Sequence, residues 1–174
     1  MNPELVSANE RKWFALYTKP RQEFKAAINL EAKSIEYYMP TVTVKKQWKD
    51  RKKKIIEPIM RGYIFIHADE KERLISMQSS SIVRTVCFQG KPAVIPEWEI
   101  ENLRKFLSET HDFIVSKKIE VGAKVKITEG PFSNVIGVVT GSQEDRWLAV
   151  SIELLNRSVL VRLPQESVIK FLEK

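Results

Sequence analysis

Residues 61–66 read Arg-Gly-Tyr-Ile-Phe-Ile, a strongly apolar stretch that predicts a β-strand. A second apolar run, Trp-Phe-Ala-Leu-Tyr-Thr at residues 13–18, predicts a central strand that is buried on both of its faces. Because side chains alternate between the two faces of a strand, Tyr63 and Phe65 share one face. Both aromatic rings therefore belong either to the core or to a surface patch.

The segments around these two strands predict a mixed α+β domain. A helix is expected at about residues 21–33, where apolar side chains fall near the spacing of one buried helical stripe, namely Phe24, Ala27, Ile28 and Ile35. Residues 36–57 predict a long hairpin with a charged tip, residues 70–78 a short helix, residues 82–88 a strand and residues 97–108 a further helix. The predicted order, β-α-β-β-β-α-β-α, is typical of helices packed on one side of an antiparallel sheet.

The pattern changes after residue 108. Residues 109–118 carry few structural signals and predict a linker, and residues 119–174 contain short alternating segments separated by turn residues. The predicted strands are residues 121–127, 135–140, 147–152, 159–163 and 168–171. Short strands without a helix predict a small SH3-like or OB-like β-barrel. The chain thus divides into a tail at 1–11, an α+β domain at 12–108, a linker at 109–118 and a barrel at 119–174.

Most of the positive charge lies in one decapeptide. The 174 residues include 29 Lys+Arg against 22 Asp+Glu, a formal net charge of +7, and residues 45–54, KKQWKDRKKK, contain seven basic residues and one acidic residue. Such a block resists packing and is either an anion-binding patch, most often for nucleic-acid phosphate, or a solvated loop. Trp48 favours the first, because an exposed indole beside cations can stack on a base. The residues predicted to contact nucleic acid here are Lys45, Lys46, Trp48, Lys49, Arg51, Lys52, Lys53 and Lys54.

The composition also argues against several classes of protein. One cysteine, Cys87, excludes a disulfide framework and a cysteine-based zinc site, and two histidines make a histidine-rich metal cluster implausible. Cys87 lies in an apolar strand and is expected to be a small buried residue. Motifs for phosphate-binding loops, nucleophile elbows and zinc proteases do not occur, so we expect no enzyme activity, no cofactor and no metal. No apolar run approaches the roughly 20 residues of a membrane span, and residues 1–12 lack the apolar region of a signal peptide, so we expect a cytoplasmic protein.

Two sets of residues resemble known modules. Gly122, Gly130-Pro131-Phe132 and Gly137-Val138-Val139 resemble a KOW motif, which occurs in NusG-type transcription factors and several ribosomal proteins; the alternative is any small β-barrel with conventional turns. The N-terminal set resembles the NGN domain of the NusG family and comprises, in chain order, residues 13–18, Arg21, Glu23, residues 38–40, residues 62–66 and Pro96. The resemblance covers about residues 12–174, and the basic hairpin is most similar to the specialised UpxY-type paralogues of capsular polysaccharide operons.

The resemblance implies a non-enzymatic transcription elongation and antitermination factor that suppresses pausing and termination, with an operon-specific role in polysaccharide biosynthesis. It implies that the clamp helices of the RNA polymerase largest subunit contact an apolar patch of Trp13, Tyr63 and Phe65. It also implies contacts to the non-template DNA strand or nascent RNA from residues between the first strand and the first helix. These are Lys19, Arg21, Gln22, Lys25 and Asn29, for which a solvated helix face is the alternative.

For the KOW unit, the resemblance implies that Leu154 or Leu155 contacts a small-subunit ribosomal protein or the termination factor Rho. A specialised relative carries a His-Thr-Thr element that touches the polymerase gate loop, whereas residues 72–75 here read Glu-Arg-Leu-Ile. The main alternative is a ribosome-associated or RNA-binding KOW protein. Against it, residues 119–174 contain seven basic and seven acidic residues, and an RNA-binding barrel is usually basic.

Overall fold

The structure, a computed structural model, describes residues 10–47, 51–110, 113–118, 120–142, 145–165 and 167–172. The predictions made for residues 1–9, Trp48 and Lys49 lie outside the described residues. The chain forms two compact units, Met1–Ile95 and Pro96–Lys174. Within the described part of the chain, no helix has the length and apolar character needed to cross a membrane.

The first unit contains a five-stranded antiparallel sheet, two helices and two separate hairpins. Its elements are β1 (Lys12–Thr18), α1 (Glu23–Ala32), β2 (Glu36–Tyr38), β3 (Thr41–Gln47), β4 (Lys52–Pro58), β5 (Tyr63–Ala68), α2 (Glu70–Ser76), β6 (Ile82–Thr85), β7 (Cys87–Phe88), β8 (Lys91–Pro92) and β9 (Val94–Ile95). The sheet has the order β2-β5-β1-β6, and β9 also pairs with β1. The hairpins β3–β4 and β7–β8 are separate two-stranded sheets.

The core of the first unit lies between one face of this sheet and helix α1. Leu16 of β1 lies opposite Ile64 of β5, and Phe14 lies opposite Ile66, so these side chains project from the same face. They are buried together with side chains of α1, namely Ala26, Ala27 and Leu30. The other face of the same strands is therefore available for the aromatic residues described below.

The buried stripe of α1 differs from the predicted one. Phe24 and Ile28 are 41% and 65% exposed, so the prediction that they belong to the buried stripe was wrong. Glu23 is buried instead, because its carboxylate accepts a hydrogen bond from the backbone N–H of Gly62 at 2.9 Å. At this end of α1 the inward position is therefore taken by Glu23 and not by Phe24. The two members of the predicted stripe that are buried are Ala27 and Ile35.

Other sequence predictions also differ from the structure. The hairpin expected at residues 36–57 divides at Met39 and Pro40 into β2, which joins the main sheet, and β3, which pairs with β4. Proline lacks an N–H and so interrupts a strand ladder. Cys87 is exposed in the two-residue strand β7, so the prediction of a buried thiol was wrong. Strand β1 is not buried on both faces along its length, because Tyr17 is 37% exposed.

The second unit contains one helix and a six-stranded antiparallel sheet. Its elements are α3 (Glu97–Ser108), β10 (Ile114–Ser116), β11 (Ala123–Glu129), β12 (Ile136–Gly141), β13 (Arg146–Ile152), a 3-10 turn (Glu153–Leu155), β14 (Arg157–Arg162) and β15 (Val168–Phe171). The strand order is β10-β14-β13-β12-β11-β15. The predicted strands correspond to β11–β15, and β10 lies in the segment predicted to be a linker. In the described pairings β10 and β15 form the edges, so closure into an SH3-like barrel stays a prediction.

Helix α3 packs on strands of the second unit. Its Phe106 is buried, and the centroid of that ring lies 5.4 Å from the centroid of the Phe132 ring. The side chain of Asn102 holds the backbone of Ile136, accepting a hydrogen bond from its N–H at 2.7 Å and donating one to its carbonyl oxygen. The sequence analysis grouped this helix with the N-terminal domain, because amphipathic spacing reveals a buried face but not the sheet it faces. The domain boundary at residue 108 stays a prediction.

Candidate functional site

One face of the first sheet carries a row of aromatic side chains. In the pairing of β1 with β5, Trp13 lies opposite His67 and Tyr17 lies opposite Tyr63. Directly opposed residues of an antiparallel pair project from the same face. The ring centroids of these two pairs are 5.1 Å and 5.5 Å apart. Phe65 belongs to the same face, since it is two residues from Tyr63 along the strand.

The exposure of these rings changes along the row. Trp13 is 3% exposed and Phe65 has 0% exposure, whereas Tyr63 is half-buried and Tyr17 is 37% exposed. Tyr63 and Phe65 thus share a strand face, but they do not share an environment as the sequence analysis expected. Of Trp13, Phe65, Tyr63 and Tyr17, the last two offer aromatic surface. The assignment of Trp13, Tyr63 and Phe65 to polymerase binding stays a prediction.

A cleft of about 410 Å³ opens at the exposed end of the row. Its lining includes Tyr17, Tyr63, Arg84 and Cys87. Arg84 lies opposite Tyr17 in the pairing of β1 with β6, so its side chain projects from the same face and lines the same cleft as the two phenol rings. The sequence analysis missed Tyr17 and Arg84. Strand alternation could have found Tyr17, because it is four residues from Trp13 and therefore on the same face of β1.

The residues predicted to face nucleic acid between β1 and α1 are not equivalent. The exposed members are the cations Lys19, Arg21 and Lys25, and the half-buried members are the amides Gln22 and Asn29. The amide nitrogen of Asn29 donates a hydrogen bond to the hydroxyl of Ser79 at 2.9 Å, so part of this side chain serves packing. The cations are therefore better suited to phosphate contact than the amides are to base contact.

The basic hairpin β3–β4 places like charges opposite each other. In its register Lys45 lies opposite Lys54, and Lys46 lies opposite Lys53. Opposed like charges destabilise an antiparallel pair. Because side chains alternate along each strand, Lys52 shares a face with Lys45 and Lys54, and all three are exposed. This face is called the lysine face below.

The opposite face of the hairpin is partly neutralised within the protein. Lys46 forms an ion pair with Glu57, and the Nη2 atom of Arg61 lies 2.6 Å from a carboxylate oxygen of Glu57. The hydrogen bond from Lys46, helped by Arg61, holds the pKa of Glu57 below its ordinary value of 4.5. Arg51 and Lys53 are exposed as well. The hairpin thus has one internally compensated face and one lysine face.

The predicted partner residues of the second unit lie in the 3-10 turn between β13 and β14. Leu155 is 6% exposed, whereas Leu154 is half-buried. Only Leu154 therefore offers apolar surface to a partner at this turn. The binding of a ribosomal protein or Rho here stays a prediction.

One carboxylate beside this turn has an unusual environment. Glu99 of α3 is 3% exposed, and its Oε2 atom accepts a hydrogen bond from the backbone N–H of Glu153 at 3.3 Å. Burial raises the pKa of Glu99 to about 7, and the charge of Glu153 adds to this effect. The backbone hydrogen bond and Lys124 act in the opposite direction. The carboxyl group therefore changes its charge near neutral pH.

The described surfaces suit binding. In the described parts of the chain, His, Cys, Asp and Glu side chains do not group as three or more candidate metal ligands. Cys87 lines the aromatic cleft, and the described residues that line the cleft with it are Tyr17, Tyr63, Arg84, Thr85 and Val86. What the cleft offers is aromatic rings and a guanidinium, which are common in protein interfaces.

Comparison with known proteins finds one family for much of the chain. Residues 11–104 match the family described as "Transcription termination factor nusG". The transcription termination/antitermination protein NusG of Chlamydia trachomatis is 26% identical over 162 residues, covering 91% of this chain and 86% of the relative. The protein of the same name from Staphylococcus epidermidis is 25% identical over 181 residues, covering 92% of this chain and 96% of the relative. A solved structure of Thermotoga maritima NusG covers 96% of this chain and 100% of its own, with a TM-score of 0.52 at 19% identity, which shows a shared fold.

Proposed function

Since the chain belongs to the NusG family of transcription termination and antitermination factors, we propose that it is a non-enzymatic elongation and antitermination factor. In this proposal it binds the clamp helices of the RNA polymerase largest subunit and the non-template DNA strand. Its effect is to suppress pausing and termination. The observation that carries the proposal is the aromatic cleft at the exposed end of the first sheet, within the matched region.

The aromatic cleft has the chemistry of a docking site for a protein helix. Tyr17 and Tyr63 present partly exposed rings, and Arg84 adds a guanidinium beside them. Tyrosine and arginine are among the residues that dominate binding energy at protein interfaces. Phe65 and Trp13 lie in the same row but are buried, so Tyr17 and Tyr63 are the rings of the row proposed to contact a partner.

The proposed mechanism is selective stabilisation of one polymerase conformation. A factor that binds the closed clamp more tightly than the open clamp shifts the population towards the closed state by its difference in affinity. No bond is formed or broken in this process. The exposed cations Lys19, Arg21 and Lys25 would add contacts to the phosphates of the displaced DNA strand.

We further propose the operon-specific role of UpxY-type paralogues in polysaccharide biosynthesis, supported by the basic hairpin of residues 45–54. Leu154 is the proposed contact of the second unit with a small-subunit ribosomal protein or Rho, because it is the more exposed leucine of its turn. A polysaccharide operon directly downstream of the gene supports this role, and its absence argues for a general factor.

The test is capture of core RNA polymerase by the full chain and by cleft variants. Tyr17→Ala and Tyr63→Ala are expected to weaken capture by about 30-fold or more each, the range of interface hot spots. Phe65→Ala is a poor test, because it opens a cavity at a fully buried ring and destabilises the fold. The matched control is Phe88→Ala, which removes a 66% exposed ring outside the cleft and should leave capture unchanged.

Capture should be paired with a pausing assay on a purified elongation complex. The same cleft variants should lose the antipausing effect in proportion to their decrease in affinity. Undiminished capture by Tyr17→Ala and Tyr63→Ala would refute the assignment of this cleft.

A further inference from the structure

The aromatic cleft of the first unit is crossed by a row of three side chains from adjacent strands. Tyr63 of β5 and Arg84 of β6 both lie directly opposite Tyr17 of β1, one on each side of that strand. Directly opposed residues project from the same face of a sheet, so the three side chains form one row. Neighbouring strands are about 4.8 Å apart, so the row spans about 10 Å, close to the diameter of an α-helix.

The cleft contains a cation without a counter-charge. Among the described residues that line it, Arg84 is the one Lys, Arg, Asp or Glu side chain. Arg84 is exposed and has no hydrogen-bond or ion-pair partner among the described residues. A guanidinium presents five N–H donors and accepts no hydrogen bond. The cleft therefore combines a positive charge with donors that the protein itself does not use.

A second guanidinium, that of Arg73 in α2, is compensated within the protein. Arg73 is 7% exposed, and its Nε donates a hydrogen bond to the carboxylate of Glu70 at 2.8 Å. Its Nη1 donates another, of 2.9 Å, to the hydroxyl of Thr85, which lines the cleft. The charge of Arg73 is thus already paired, and the uncompensated charge of the cleft is that of Arg84.

The two tyrosines add polar groups to an apolar surface. The ring centroids of Tyr17 and Tyr63 are 5.5 Å apart, with an angle of 58° between the ring planes. Neither hydroxyl has a hydrogen-bond partner among the described residues. Phenol rings offer apolar contact area, and their hydroxyl groups can donate to an acceptor. The row therefore suits a partner that carries one anionic group on an apolar body.

We propose that Arg84 binds the carboxylate of an aspartate or glutamate on the docking helix of the partner, while Tyr17 and Tyr63 contact apolar residues of that helix. Residues three or four apart lie on one face of a helix, so an acidic residue with apolar neighbours at this spacing can meet the whole row. A guanidinium binds a carboxylate through two parallel hydrogen bonds, which also fixes the orientation of the pair. The inference deepens the proposed function and rests on the docking of the polymerase clamp helices at this cleft.

In this arrangement Arg84 determines specificity. A partner helix with a neutral or basic residue at this place would cover the guanidinium without supplying a counter-charge, which is costly. A nucleic-acid phosphate is the other anion that a guanidinium binds. The carboxylate is favoured here because the cleft has one cation among aromatic rings, whereas surfaces that follow a phosphate backbone use several cations.

The test measures the association and dissociation rates of the full chain on immobilised core RNA polymerase. Arg84→Met removes the charge and keeps an unbranched side chain. We expect it to weaken binding by about 10- to 150-fold, the range for hydrogen bonds to a charged group. The loss should appear as faster dissociation, because the docked helix covers the charge pair. The matched control is Lys71→Met, which removes an exposed cation of α2 outside the cleft and should bind like the parent chain.

Two further variants examine the chemistry of the pair. Arg84→Lys keeps the charge but loses the planar fork, so its affinity should lie between those of the parent and Arg84→Met. Arg84→Glu should weaken binding more than Arg84→Met, because two carboxylates then repel each other. Each Asp and Glu of the clamp helices is then replaced with Arg in core polymerase. The replacement of the bound acid should restore binding to Arg84→Glu by about 2- to 150-fold, the range of coupling between residues in contact.

Several outcomes overturn the inference. They are unchanged binding by Arg84→Met, a loss that is confined to the association rate and disappears at high salt, and no clamp-helix acid that is coupled to Arg84. Inhibition of polymerase capture by oligo(dT) that depends on Arg84 would assign the guanidinium to phosphate and also overturns it. Thermal unfolding of each variant identifies a folding defect, and Arg84→Lys decides if Arg84→Met does not fold.

The same assay separates this inference from the proposed function. Tyr17→Ala and Tyr63→Ala test whether polymerase uses the cleft, and Arg84→Met tests the carboxylate contact. If the tyrosine variants weaken capture and Arg84→Met does not, the proposed function stands and this inference is wrong. If none of the three variants weakens capture, both are wrong.

Discussion

Glu99 gives a quantitative prediction about pH. Its carboxyl group is 3% exposed on α3 and has one long hydrogen bond, from the backbone N–H of Glu153 at 3.3 Å. Burial raises its pKa from the ordinary 4.5 to about 7. The charged groups that face it are Glu153, which favours the neutral acid, and Lys124, which favours the carboxylate. The substitution Glu99→Gln keeps the shape and the hydrogen-bond acceptor but removes the titration.

The direction and the size of this pH effect follow from the pKa of the Glu99 carboxyl group in the folded and in the unfolded state. The folded state binds the Glu99 proton more tightly than the unfolded state does, so the contribution of this group is most favourable below about pH 4.5. That stability is lost as the pH rises through about 7. The separation between the two pKa values corresponds to at most about 3 kcal/mol of unfolding free energy.

The assay is urea unfolding of the full chain at about pH 5 and about pH 8, with the Glu99 pKa read from its carboxyl carbon by NMR. From about pH 5 to about pH 8, the titration of Glu99 should lower the free energy of unfolding of the parent chain by up to about 3 kcal/mol. This decrease should be missing in Glu99→Gln, because glutamine does not titrate. Glu101→Gln, an exposed residue of the same helix, is the matched control. A Glu99 pKa near 4.5, or the same pH dependence in Glu99→Gln as in the parent, would refute the reasoning.

Further predictions concern stability. Asn102→Ala should lower the free energy of unfolding by about 2–4 kcal/mol in urea, because it removes the hydrogen-bond partner of both the N–H and the carbonyl of Ile136. A decrease below about 0.5 kcal/mol would contradict this expectation. Asp69→Ala should lower the free energy of unfolding by about 1 kcal/mol in a thermal measurement. The reason is that Asp69 and Glu72 form a capping box at the start of α2, with hydrogen bonds of 2.8 and 3.0 Å. The control, Ser80→Ala, should leave the free energy of unfolding unchanged. Gly137→Ala should lower the free energy of unfolding by about 1–3 kcal/mol or more, because the added Cβ would lie 2.6 Å from the carbonyl oxygen of Ala149. An unchanged midpoint of urea unfolding would show that β13 can move away from the added methyl group.

The parts of the fold that the sequence predicts are those governed by local periodicity. Alternating or continuous apolar residues located β1, β5 and the strands of the second unit, and amphipathic spacing located α3. These patterns depend only on neighbours along the chain. They do not show which sheet a helix covers. The predicted bounds of α3 are confirmed, and its packing on the second unit could not be read from its spacing.

The errors and omissions arise where long-range contacts decide. Phe24 is exposed because Glu23 reaches the backbone of Gly62, a contact between residues far apart in sequence. Cys87 has apolar neighbours yet lies in a short exposed hairpin. Tyr17 and Arg84 become a candidate surface only when the register of β1 with β6 is known. Tyr63 could therefore be named as a candidate from its strand, whereas its grouping with Tyr17 and Arg84 into one cleft could not be predicted.

Dissolved salt is expected to have two opposite effects on the β3–β4 hairpin, because lysines lie directly opposite each other on its two strands. Directly opposed side chains begin about 5 Å apart, inside the roughly 8 Å screening length of physiological solution, so Lys45 and Lys54 still repel each other there. More salt relaxes that repulsion and favours the paired strands, yet the same ions would compete with the hairpin for the phosphates of the nucleic acid proposed as its ligand. In dilute solution a bound polyanion supplies the counter-charge that the hairpin lacks. Strand pairing and ligand capture should then become a single cooperative event.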